Sequence, residues 1–101
     1  MRYELKTGAE DVAVAMRGDL NFQDHPVVKK LLAELSGAKR KHWVLDLSGL
    51  KSIDSAGIGM LLIAKDEGDK VGAHITLRAP EGNVRRVLEL TRIGDMVEIV
   101  A

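Results

Sequence analysis

The chain has 101 residues, enough for one domain built on one core. Its 15 basic and 15 acidic residues cancel, so no general electrostatic pull toward nucleic acid or an anionic membrane is expected. It has no cysteine, which excludes disulfides, thiolate ligands and a cysteine nucleophile together.

Met1 to Lys6 lacks the apolar core of a signal peptide, and the run Ile58 to Ala64 is too short to cross a bilayer. A cytoplasmic domain without membrane insertion is expected. Arg2 to Lys6 alternates polar and apolar residues, and Asp11 to Arg17 alternates again with Val12, Val14 and Met16 on one face. Thr7 to Glu10 joins them, which predicts a β-hairpin. Gly18 to Asn21 breaks the pattern. Phe22 to Leu35 predicts a helix, with Asp24 as its cap, Pro26 in its first turn and Val28, Leu31, Leu32 and Leu35 as its apolar stripe. Ser36 and Gly37 predict its end.

Trp43 to Leu47 reads as a strand, and its nearly continuous apolar character suggests a central strand buried on both faces. Asp46 falls at its end, and Ser48 to Ser52 reads as a loop. Ser55 to about Lys70 predicts a second helix, with Ile58, Leu61, Leu62 and Ile63 covering much of its circumference. Ala73 to Leu77 is another strand and Ala79 to Gly82 a turn. Asn83 to Arg92 predicts a third helix with Val84, Val87, Leu88 and Thr91 on one side, and Met96 to Val100 a last strand. This order, two strands and then helix and strand three times, implies right-handed crossovers between parallel strands. The predicted fold is α/β: a mixed sheet of four to five strands, with the helices mainly on one face.

Several chemistries are excluded by spacing. Ile53 stands where a Gly-x-Ser-x-Gly elbow needs its first glycine, and Leu62 stands where a Gly-x-Gly-x-x-Gly fingerprint needs its third. No Gly-Lys-Ser or Gly-Lys-Thr phosphate loop occurs. His25, His42 and His74 lie in separate segments with no metal-ligand spacing. The stretch Ile53-Asp54-Ser55-Ala56-Gly57-Ile58-Gly59 remains, where a strand gives way to an apolar helix. In one reading the Ser55 hydroxyl caps that helix. In the other, Ser55 accepts a phosphate, which would meet free N–H groups and the positive helix end while adding about −1.5 to −2 charges. Two glycines in the first turn cost about 0.8–1.0 kcal/mol each relative to alanine, a loss that close backbone approach or a bare docking surface would offset.

Val44-Leu45-Asp46-Leu47-Ser48-Gly49-Leu50 followed by Ile53-Asp54-Ser55-Ala56-Gly57-Ile58-Gly59 resembles the signature of STAS domains, in particular the bacterial anti-sigma factor antagonists. The resemblance extends over Tyr3-Glu4-Leu5, Val12 to Gly18-Asp19-Leu20 and Val87-Leu88-Glu89-Leu90. It implies a non-enzymatic domain that binds a serine kinase which is itself an anti-sigma factor. The kinase phosphorylates the serine matching Ser55 with its own ATP, binding ends, and a phosphatase restores it. No cofactor is then needed on this chain. The resemblance implies Asp19, Asp54, Ser55, Ala56, Gly57, Ile58 and Gly59 as the partner-binding set. For the free chain a monomer is expected. Asn21 to Pro26 departs from the small polar stretch usual in the family. The same family also supplies small subunits of lipid-transport ATPases and stress-signalling assemblies, in which Ser55 would be a cap alone.

Overall fold

The computed structural model describes all 101 residues. Arg2–Thr7 (β1) and Asp11–Leu20 (β2) form the expected antiparallel hairpin, with Tyr3 opposite Met16 and Leu5 opposite Val14. His25–Ala38 (α1), His42–Ile53 (β3), Ser55–Lys70 (α2), His74–Arg78 (β4), Gly82–Thr91 (α3) and Glu98–Val100 (β5) follow. The strand order is β1-β2-β3-β4-β5, and β2 to β5 are parallel. Each helical crossover therefore steps one strand over in the same direction. Right-handed connections then place all three helices on the same face of the sheet. Consistent with this, Leu31 of α1, Leu61 of α2 and Leu88 of α3 belong to one cluster of 24 buried apolar residues with Val14, Leu45 and Leu77 of the sheet.

The other face carries no helix, yet β3 is the central strand and its apolar run is buried on both faces, as expected. Trp43, Leu45 and Leu47 turn toward the helices. Val44 is buried on the helix-free face between its register partners Ala13 and Thr76. A side-chain network runs across that face. His42 Nε2 lies 2.8 Å from the Thr76 hydroxyl, which donates to Glu98 Oε1 at 2.8 Å, and His74 Nε2 reaches the same oxygen at 2.9 Å. His42 and His74, distant in sequence, are register partners on adjacent strands. No group of three or more potential ligands is arranged to hold a metal ion.

Four expectations are corrected. Ser48 to Ser52 is strand, not loop: β3 runs on to Ile53 because β2 also continues, through Gly18 at φ +90°, to Leu20. Register shifts between Ala15 and Arg17 and between Gly18 and Asp19 absorb the irregularity. Gly49 is required there, since a Cβ would stand 2.7 Å from the Met16 carbonyl oxygen. Asp46 is thus mid-strand; its carboxylate accepts the Ser48 N–H and hydroxyl and pairs with Arg78. Asp24 stands at the N-cap position of α1, but its side chain makes no cap hydrogen bond there. Asn21 caps a 3-10 turn, Phe22–Asp24, and the buried Asp24 carboxylate accepts the Asn21 N–H at 2.9 Å and pairs with the Met1 α-ammonium at 2.7 Å. Helix α1 passes through Ser36 and Gly37, held by the fully buried Leu35, and ends at left-handed Lys39, φ 55°. The Arg40 guanidinium donates to the freed Ala38 carbonyl.

At the carboxyl end, Thr91 is exposed and its hydroxyl bonds back to the Val87 carbonyl at 2.9 Å, so it is not part of the apolar side of α3. Met96 is exposed and precedes the shortened last strand, while Ile93 and Val97 supply the buried contacts of that segment. No helix is long and apolar enough to cross a membrane.

Candidate functional site at the β3–α2 junction

The carboxyl ends of the parallel strands meet the amino end of α2 at Asp54 and Ser55, the edge where open α/β sheets commonly bind ligands. The Asp54 N–H donates to the Leu20 carbonyl at 3.2 Å, tying the end of β3 to β2. Its backbone is extended, φ −104° and ψ −176°, which turns its side chain back over the first turn. Asp54 Oδ1 then accepts the Gly57 N–H at 2.8 Å, and Oδ2 faces the Phe22 N–H at 3.4 Å.

Asp54 is therefore the cap of α2, and the expectation that Ser55 plays this part is corrected. Ser55 is the first helical residue, one position too late for its hydroxyl to reach back to the N–H of Gly57 or Ile58. A carboxylate also interacts favourably with the positive helix end, where a hydroxyl adds little. Ser55 is exposed, and its hydroxyl makes no hydrogen bond. The helix ladder has no carbonyl for the Ser55 and Ala56 N–H groups, which are left for solvent or an anion.

The two glycines of the first turns answer different demands. A Cβ on Gly57 would lie 2.6 Å from both the Leu20 carbonyl oxygen and Ile53 Cγ1, so glycine lets α2 sit against the strand ends. A Cβ on Gly59 would meet nothing within 4 Å. Gly59 is bare surface. Ile58 is 8% exposed and belongs to the core, and Ala56 is half-buried. Asp19 is exposed at the end of β2, where it accepts the Ser52 hydroxyl at 2.7 Å and makes no hydrogen bond to Ser55. Of the expected set, Asp19, Asp54 and Ser55 face solvent, Ala56 and Gly59 partly do, and Gly57 and Ile58 hold the helix from below.

Beside Ala56 and Gly59 lies a shallow apolar depression of about 560 Å³, walled by Phe22, Pro26 and Ile63. Phe22 is 74% exposed and Ile63 46% exposed. Neither residue belongs to the expected set. Phe22 is the single phenylalanine of the chain, set in an otherwise polar run, and that was its one visible signal. The apolar periodicity of α2 had absorbed Ile63 into the core.

The site is thus an exposed serine that opens the helix after the central strand of a mixed sheet covered by helices on one face. The family described as "Mlab, STAS domain" matches residues 4–98, and the chain belongs to it. A Thermotoga neapolitana protein, named as a candidate anti-sigma factor antagonist, is 30% identical over 92 residues, spanning 89% of this chain and 81% of its own length. The anti-sigma F factor antagonist of Lysinibacillus sphaericus is 29% identical over 89 residues, 84% of this chain and 74% of that protein. Among solved structures, a candidate antagonist from Thermotoga maritima superposes with a TM-score of 0.86 at 26% identity, covering 98% of this chain and 86% of that one. The Bacillus cell fate determinant SpoIIAA in its phosphorylated form shares the fold, with a TM-score of 0.69 at 22% identity over 99% of this chain and 92% of that one.

Proposed function

We propose that this STAS domain is an anti-sigma factor antagonist, a non-enzymatic binding module switched off by phosphorylation of Ser55. One observation carries the reading: Asp54 caps α2, so the exposed Ser55 hydroxyl has no structural task. A structural serine at a helix entry ordinarily spends its oxygen on the cap. Here the oxygen is free to be a phosphate acceptor. The named relatives support an anti-sigma factor as the partner; that this partner is also a serine kinase is what the family resemblance implies.

The switch follows from local electrostatics. A phosphate on Ser55 would stand over the unpaired N–H groups of Ser55 and Ala56 and the positive helix end, so the fold tolerates it. A partner covering Gly59 and Phe22 would have to strip water from a group carrying about −1.5 to −2 charges beside the Asp54 carboxylate, which opposes docking. The kinase supplies ATP, a phosphatase resets the switch, and the chain acts in the cytoplasm as a single domain without a cofactor of its own. Incubation with the kinase and ATP is expected to add one phosphate, located at Ser55 by mass spectrometry and absent from Ser55→Ala. Phosphate found only at other residues would overturn the reading.

A second reading has one observation in its favour: the matching family description names Mlab rather than a sigma regulator. In that reading the chain is a constitutive STAS subunit of a lipid-transport ATPase or stress-signalling assembly. Co-purification of an ATPase and permease in place of a small kinase would establish it.

A further inference from the structure

The depression beside Ser55 does not end at Ile63. It shares His25, Met60 and Ile63 with a second groove of about 390 Å³ that continues between α1 and α2 as far as Ser36 and Glu67. Along α1 the trough spans His25 to Ser36, and along α2 Ala56 to Glu67. Both are eleven residue steps, about 17 Å at about 1.5 Å per step. Its floor is Val28, Leu32 and Met60, and small residues, Gly59 on α2 and Ala33 on α1, keep it open. The rims differ in charge: Lys29 stands on the α1 side, and Glu67, which Lys70 approaches to 3.4 Å, on the α2 side.

We infer that this trough seats an amphipathic helix of about three turns from the partner, with acidic residues flanking its apolar stripe on the α1 side and a basic residue toward Glu67. The length matches three turns at about 5.4 Å each, and a helix laid along two others meets them with residues spaced i, i+3, i+4 and i+7. The trough reaches Ala56, the residue that follows Ser55 in the first turn of α2. The inference rests on the proposed antagonist reading for the identity of the partner, but the groove geometry stands on its own.

The test uses two ligands. The first is a blocked twelve-residue helical peptide with Leu at positions 1, 4, 8 and 11, Glu along one flank and Lys along the other, compared with the same peptide with its flanks exchanged. The peptide is titrated into methyl-labelled protein. Saturable shifts at Leu32, Met60 and Ile63, weaker binding of the exchanged peptide, and loss of about tenfold or more in affinity with the surface variants Ala33→Arg and Ile63→Lys are expected. Absence of saturable shifts, shifts elsewhere, equal binding of both peptides, seating of dodecanoate in place of the peptide, or self-association abolished by Ile63→Lys would overturn the inference. The second ligand is the kinase. If Ser55 phosphorylation blocks kinase binding while Ala33→Arg and Ile63→Lys leave it unchanged, the groove assignment falls and the switch stands. If the peptide binds as expected but no kinase does, the groove stands and the antagonist reading falls.

Discussion

The contrast between Gly57 and Gly59 gives a sharp physical prediction, because the two positions lie two residues apart and face opposite environments. Alanine at either one recovers about 0.8–1.0 kcal/mol of helix propensity. At Gly59 nothing opposes that gain, since a Cβ meets no atom within 4 Å. Gly59→Ala is therefore expected to stabilise the fold by nearly this amount, raising Tm by about 4–8 °C for a domain of this size. At Gly57 the new Cβ lies 2.6 Å from the Leu20 carbonyl oxygen, against 3.4 Å for ordinary contact. That oxygen is held by the Asp54 N–H at 3.2 Å, so the backbone cannot yield without loosening the cap. Overpacking of this kind typically costs about 1–3 kcal/mol, which outweighs the propensity gain. Once that gain is subtracted, Gly57→Ala should be less stable than the parent by up to about 2 kcal/mol. Urea denaturation of the three proteins, with equal m-values required, makes the comparison. A Gly57→Ala variant at least as stable as the parent, or a destabilised Gly59→Ala, would refute the division of the junction into a packed residue and a bare one.

Removing the cap separates the tasks of its neighbours: Asp54→Ala should cost about 1 kcal/mol, while Ser55→Ala should change stability by less than about 0.5 kcal/mol, both read from chemical denaturation. Burial pushes the Asp46 carboxyl up, but the Ser48 N–H and hydroxyl and Arg78 together outweigh it and hold its pKa below the usual range. Because the folded value is depressed, the contribution is present above the unfolded pKa of about 3.9 and is lost as pH falls through the folded value. Arg78→Ala should therefore shallow the acid limb of the stability profile below about pH 4, with little change in slope near neutrality. Trp43 Nε1 is buried without a hydrogen-bond partner, an arrangement that typically costs about 1–3 kcal/mol. Trp43→Phe removes that donor, so its net destabilisation in urea should stay below the roughly 3–5 kcal/mol seen when large aromatic residues are truncated to alanine.

Much of this architecture was legible because apolar periodicity reports burial directly. Val12, Val14 and Met16, and the stripe from Val28 to Leu35, were read correctly as core. What stayed hidden was decided by partners in space. Ser48 to Ser52 looks like a loop, but Gly49 can lie against the Met16 carbonyl, so the polar run pairs as strand. Ser36 and Gly37 carry a stop signal that the anchored Leu35 overrides. At the site, the sequence located the junction but gave the cap to Ser55, because serine and aspartate are nearly equal as caps and only the backbone angles reveal which residue precedes the helix. The groove was invisible since it needs Phe22 from one segment and Ile63 from another.

The central claim is that charge on Ser55, not its hydroxyl, controls docking. Isothermal titration of the cognate kinase against the unmodified protein, Ser55→Ala and the Ser55-phosphorylated protein tests it most directly. The account predicts that Ser55→Ala binds within about threefold of the parent, since its hydroxyl makes no structural bond, whereas phosphorylation weakens binding by about a hundredfold or more. Equal affinity of the phosphorylated and unmodified proteins, in the presence of an intact fold, would contradict it.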